Sequence, residues 1–138
     1  MSRPPFTIRP AAPADRADIH QVLRQLHPDL AGTTLPRIRQ EAQTFVAGEP
    51  VIGVAVVTFV DYRAGAYGMV EELVVDAAHR GTGVGRLLLD ECRGWLARLG
   101  AEVIFVSGID EAAAGFYRRA GFADCTGPWL FQGADGGV

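Results

Sequence analysis

The chain has 138 residues, 49% of them hydrophobic and 21% charged, with a net charge of −3. That length suits one domain, here residues 1–138, and that apolar fraction suits a packed core. No block of like charge points to nucleic acid or to an anionic membrane surface, and no apolar run reaches the length of a membrane helix. The opening MSRPPFTIRP has no apolar signal core, so the expected location is cytoplasmic. Cys92 and Cys125 lack metal-type spacing and read as reduced core thiols; no metal site is expected.

In chain order, Phe6 to Arg9 alternates like a short first strand. Pro13 suits a helix's first turn, and Ile19, Val22, Leu23 and Leu26 mark one apolar face through about His27. His27 to Thr34 is a loop by composition. A second helix is expected around Pro36 to Ala42, with Thr34 as a possible cap. Thr44 to Ala47 reads as a strand and Gly48-Glu49-Pro50 as a turn. Val51 to Val60 is the most continuous β-branched run, a buried strand in which Gly53 suggests a bulge. Asp61 to Ala66 turns the chain into a partner strand, Tyr67 to Val75. A helix follows, starting at Gly85 and closed by Gly100, with Val84, Leu87, Leu88, Trp95, Leu96 and Leu99 at helical spacing. Glu102 to Ser107 is another strand. Asp110 caps a helix over Glu111 to Ala120, and Gly121 ends it. Phe122 to Thr126 and Trp129 to Gln132 read as short strands before a frayed tail. The order β-α-α-β-β-β-α-β-α-β-β predicts an α/β fold: a single mixed, mostly antiparallel sheet with helices on both faces. Its β-α-β unit, Tyr67 to Ser107, is expected to be a right-handed crossover with parallel strands.

The chemistry concentrates between Val70 and Leu99. An apolar strand there leads through a polar turn into Gly81, Gly83 and Gly85 and then into an amphipathic helix. A helix start leaves backbone N–H groups without partners and adds partial positive charge. Glycines let a ligand approach those groups, and Arg80 and Arg86 flank them. The pattern is a phosphate cradle or simply a tight strand-to-helix turn. It is neither the dinucleotide fingerprint, since Arg86 stands where the third glycine belongs, nor the ATP loop, which needs a lysine.

Arg80-x-x-Gly83-x-Gly85 after Glu71-Glu72-Leu73-Val74-Val75 resembles the acetyl-CoA pyrophosphate loop of the GCN5-related N-acetyltransferase (GNAT) superfamily. Ala113-x-x-Phe116-Tyr117-x-x-x-Gly121-Phe122 resembles that family's second signature. The resemblance spans nearly the whole chain. It implies a GNAT-like fold with acetyl-CoA as cosubstrate. The two strands of the β-α-β unit would splay, and the backbone of Leu73, Val74 and Val75 would pair with the pantetheine arm. Gly81, Thr82, Gly83, Val84, Gly85, Arg80 and Arg86 would hold the diphosphate. The loop between the first two helices, with His27, would help form the acceptor site. Relatives often carry Asn near the last helix, where this chain has Asp110 and Ala113, and a proline after Asp76, where it has Ala77. Ser107 resembles a serine of one branch of the family.

Acetyl transfer to an amine needs a held donor, a deprotonated amine, donors for the oxyanion and an acid for the thiolate. An alkylamine has a pKa of about 10 and is mostly charged at neutral pH. Glu71 and Glu72 are unusual in an apolar strand. Alternation places Glu71 on the face of Leu73 and Val75 and Glu72 on the other. Partial burial would raise a carboxylate's pKa and suit a general base; binding of the ammonium, or a base acting through a water chain, are the alternatives. By family position, Tyr117 would protonate the thiolate; its other reading is a core tyrosine. The implied activity is direct acetyl transfer to a primary amine, without a covalent enzyme intermediate; a small-molecule acceptor is preferred, with a small amine, an amino acid, an aminoglycoside-like compound and a protein N-terminus all open. The rival is a non-catalytic acyl-CoA-binding module. Trp129 and Phe131 near the end suggest strand pairing in a homodimer.

Overall fold

The computed structural model describes residues 6–30, 37–62, 65–108 and 110–137. They form two compact units, one running up to Phe105 and one from Val106 onward. The first holds a short 3-10 turn (Pro13–Asp15), α1 (Arg16–Leu23), β1 (Arg39–Ala47), β2 (Gly53–Asp61), β3 (Ala66–Val75), a second 3-10 turn (Ala77–His79) and α2 (Val84–Leu99). β4 (Val103–Val106) ends at the boundary, and α3 (Glu111–Arg119) belongs to the second unit. The four strands form one mixed sheet in the order β1-β2-β3-β4, an α/β fold as expected.

The β1–β2 ladder is antiparallel and unbroken from Arg39↔Asp61 to Ala47↔Gly53. This corrects the expected second helix: Arg39 to Ala42 are strand, and the expected cap Thr34 lies outside the described residues. Arg-Gln-Glu-Ala has good helix propensity, but propensity is a weak prior that a nine-residue ladder overrides. No strand forms over Phe6 to Arg9 or over residues 122–132. Strands exist by pairing, and neither stretch is on a ladder. The first helix stops at Leu23, four residues early. His27 precedes Pro28, which disfavours helical backbone, so the chain closes in a turn in which the His27 N–H donates to the Leu23 carbonyl (2.8 Å).

The core lies between α2 and the sheet. Gly53, Ala55, Val57 and Phe59 are buried at alternate positions of β2, and their cross-strand partners on β3 are Val75, Leu73, Val70 and Gly68. From α2, Leu88, Leu89, Cys92 and Leu96 are buried. Gly53 is therefore not a bulge. It admits α2: a Cβ there would meet Leu88 Cδ1 at 2.9 Å and Val84 Cγ1 at 3.1 Å. Gly68 does the same further along, where a Cβ would fall inside the Leu96 side chain. The helix ends at Gly100 in the left-handed region (φ 96°), as its position implies. Arg39 ties its C-terminus to β1, donating from Nη2 to the Leu99 carbonyl (3.1 Å) while stacking on Phe59. One expected core residue is misplaced: Leu87 is 68% exposed, because the buried stripe runs through the next positions round the helix.

Both cysteines are free, but only Cys92 is a core thiol; Cys125 is exposed. Burial, helped by Glu91, pushes the Cys92 thiol up to about 11. We expect a thiol reagent at neutral pH to modify Cys125 in the folded protein and Cys92 only after unfolding. Two reactive thiols in the native state would contradict this packing. Leu89→Ala should cost about 2–5 kcal/mol in urea unfolding, whereas Leu87→Ala should stay within about 0.5 kcal/mol.

Candidate active site

The turn after β3 is built by short-range hydrogen bonds. Asp76 accepts from the Ala78 N–H (3.2 Å), and its carboxylate also meets His79 Nδ1 at 3.3 Å. Thr82 Oγ1 donates to the His79 carbonyl (2.5 Å), and Arg80 Nε donates back to the carbonyl of Val75 (3.2 Å). These bonds hold Arg80 beside the last residue of β3. Asp76 does here what sequence reasoning assigned to no residue; an Asp before a helical turn is the signal that identifies such a cap.

Gly81 (φ 76°) and Gly83 (φ 92°) both occupy the left-handed region. A Cβ on either would meet nothing within 4 Å, so the turn is open on its outer side and not plugged by side chains. α2 begins at Val84, one residue before the expected Gly85, with Gly83 as its N-cap. Among the described residues no side chain caps that start, and its first turn carries no acidic residue. The N–H groups of Val84, Gly85 and Arg86 thus lack the i−4 partners of a helix interior. Arg86 pairs with Asp90 (3.4 Å), one turn along. The helix start, its dipole and Arg80 favour an anion at this corner, while the charge of Arg86 is shared with Asp90.

β3 departs from the expected alternation. Val57 pairs with Val70 and Val56 with Glu72, so Glu71 is an extra residue bulged out of the ladder. The bulge shifts the side-chain phase: Gly68 and Val70 are buried before it, while Leu73 and Val75 are the more buried positions after it. Glu71 and Glu72 are consecutive and both exposed, which corrects the expected partial burial. Val74 is 53% exposed. β4 is β3's other neighbour, anchored where the Glu102 N–H donates to the Ala66 carbonyl (2.9 Å). Four residues of β4 reach only the first half of a ten-residue strand. Among the described residues, Glu71 to Val75 therefore have β2 as their sheet neighbour and an open opposite edge.

In the second unit, Asp110 caps α3, accepting from the Ala113 N–H (2.9 Å), and Gly121 (φ 104°) follows its end. Tyr117 is 9% exposed and packs edge-on against Phe116 (5.2 Å) and Phe122 (5.6 Å). It also lines a cavity of about 520 Å3 with Val106 and Ala114.

Among solved structures the fold is shared with N-acetyltransferases. The chain superposes on glucosamine-6-phosphate N-acetyltransferase of Arabidopsis thaliana with a TM-score of 0.58 at 15% identity, over 83% of this chain and 74% of that one. An aminoglycoside N-acetyltransferase in complex with CoA gives a TM-score of 0.57 at 17% identity, over 70% and 98%. Ribosomal-protein-alanine N-acetyltransferase of Brucella melitensis biovar Abortus 2308 gives 0.56 at 15% identity, over 66% and 70%. No curated protein sequence matches significantly. A family model, described as an acetyltransferase (GNAT) domain, matches residues 40–124, and the chain belongs to that acetyltransferase family.

No helix among the described residues is long and apolar enough to cross a membrane. The left-handed glycines give a direct check. Gly83→Ala should lower stability by about 1–2 kcal/mol in chemical denaturation from backbone strain alone, since its Cβ has room. A neutral substitution would mean that the turn rearranges.

Proposed function

We propose that this chain is an acetyl-CoA-dependent N-acetyltransferase that moves an acetyl group directly to a primary amine of a small molecule. The observation that carries the reading is the open, uncapped start of α2 behind two left-handed glycines. Its amides, from Gly81, Thr82, Gly83, Val84, Gly85 and Arg86, hold the diphosphate, with Arg80 beside them. The free edge at Leu73, Val74 and Val75 supplies backbone groups to the pantetheine arm by strand addition. One of those N–H groups faces the thioester oxygen as an oxyanion donor. Shared fold with enzymes named for acetylating an aminoglycoside and a sugar amine is consistent with a small acceptor, and the fold is equally that of an enzyme named for a ribosomal-protein alanine.

Glu71 and Glu72 serve the amine. Both carboxylates are exposed on the bulge, so one takes the ammonium proton directly or through water. The neutral nitrogen attacks the thioester carbonyl, forming the C–N bond and a tetrahedral oxyanion; as the oxyanion collapses the C–S bond breaks, and the nitrogen's second proton passes through water to restore the proton that Tyr117 gives up. Tyr117 gives its phenolic proton to the departing sulfur, whose thiol has an ordinary pKa of about 8.5 against about 10 for tyrosine. Its burial among Phe116 and Phe122 fits a single held orientation. The apolar Trp129 (68% exposed) and Phe131 (77% exposed) are suited to pairing in a homodimer.

Incubation with acetyl-CoA and a panel of amines, read by thiol release and product mass, tests the reading. Tyr117→Phe should lower kcat at least about tenfold while leaving the acetyl-CoA Kd within about twofold. Glu71→Gln should cut kcat/KM most steeply at lower pH, where less free amine is present. Thermal stabilisation by acetyl-CoA with no acetylated product from any amine would replace the enzyme by an acyl-CoA-binding module.

A further inference from the structure

Glycine admits left-handed backbone without enforcing it, so Gly81 and Gly83 do not by themselves hold the turn after β3 in one shape. On the far side α2 fixes it, since the Leu87 N–H donates to the Gly83 carbonyl (3.1 Å). On the near side the fixing falls on Asp76. The Asp76 N–H donates to the Ile52 carbonyl (2.7 Å), next to the ladder pair Gly53↔Val75, which ties this residue to the sheet. Its own carbonyl accepts from the His79 N–H (2.9 Å). Its carboxylate accepts from the Ala78 N–H two residues on (3.2 Å), closing an Asx turn. His79 passes the position along, because its carbonyl accepts from Thr82 Oγ1 (2.5 Å), between the two glycines. The Asp76 side chain thus links the end of β3 to the glycine turn.

We propose that Asp76 is a positioning residue for the diphosphate: its carboxylate, as a hydrogen-bond acceptor and not as a charge, sets the turn that presents the amides of Gly81 to Arg86. The inference rests on the reading that those amides hold a diphosphate. Charge alone argues the other way, since an anionic side chain near an anion site repels the ligand. Asp76 is 58% exposed, so that repulsion is weak and screened by salt. The bond to Ala78 works against it, so the two contributions of one side chain have opposite signs and can be separated. The backbone offers a second way to fix the same turn. Asp76 sits at φ −52° and ψ 138°, the extended region required of a residue before proline. Ala77 is the first residue of the 3-10 turn, where the fixed φ of proline fits and its missing N–H costs no helical bond.

The test is calorimetric titration of the full chain with CoA, at fixed salt and well below the unfolding midpoint of every variant. Asp76→Ala should raise Kd about fivefold. Asp76→Asn loses the same charge but keeps an acceptor, and should bind as tightly as the wild type or tighter. Adding Ala77→Pro to Asp76→Ala should recover at least about twofold, because the ring limits the turn's alternatives. A role in global stability alone would leave Kd unchanged in protein that is folded throughout. Wild-type affinity in Asp76→Ala, or equal weakening in Asp76→Asn, overturns the inference and leaves the diphosphate reading standing. No recovery by proline overturns it too, since the loss would then not lie in the shape of the turn. No CoA binding by the wild type removes both.

Discussion

The close approach of α2 to the sheet is the constraint on which the rest depends. It is possible because Gly53 and Gly68 stand where a Cβ would collide with Leu88, Val84 or Leu96. With those side chains seated, the helix runs directly over β2 and β3. Its first turn then falls at the end of β3, and the chain must cover the short distance from Val75 to Val84 in a tight turn. That turn needs left-handed backbone at Gly81 and Gly83. The same geometry that packs the core thus places the helix start, without a side-chain cap among the described residues, at the end of β3. Core packing and ligand binding are one structural decision here.

The bulge at Glu71 is the second such decision. Without the extra residue, strict alternation from the buried Gly68 and Val70 would carry Glu72 and Val74 to the α2 face and take Leu73 and Val75 off it. Inserting it lets the apolar phase shift, so that Leu73 and Val75 stay on the α2 side while two adjacent carboxylates reach solvent. A bulge also increases local twist and interrupts pairing. It lies where β4 runs out, so the second half of β3 has β2 on one side and an open edge on the other. A strand with an unused edge is a template for another extended chain, which suits a pantetheine arm as well as a polypeptide.

Most of the sheet was legible locally: β2, β3 and β4 fall on the expected runs, because stretches of β-branched and apolar character bounded by turns leave few options. Only the second half of β1, from Thr44, was legible: Arg39 to Ala42 carry helix-favouring side chains, and only the partner across the ladder makes them strand. Phe6 to Arg9 and residues 122–132 failed the opposite way, with strand-like composition and no ladder to join. Leu87 shows a finer limit. Helical spacing identifies an apolar stripe, but the exact angle at which α2 lies on the sheet decides which neighbouring leucine is covered.

The sequence by itself determined the features that act over a few residues. These are the α2 periodicity, the glycine stop at Gly100, the Asp110 cap and the glycine turn with Arg80 beside it. Each depends on bonds between near neighbours, and the residues making them are adjacent in the chain. Tertiary structure alone decided the first half of β1, the bulge that exposes Glu71 and Glu72, the open edge of β3 and the cavity beside Tyr117. Those depend on which distant segments meet and in what register. A one-residue shift of register exchanges the two faces of a strand, and no local pattern carries that information.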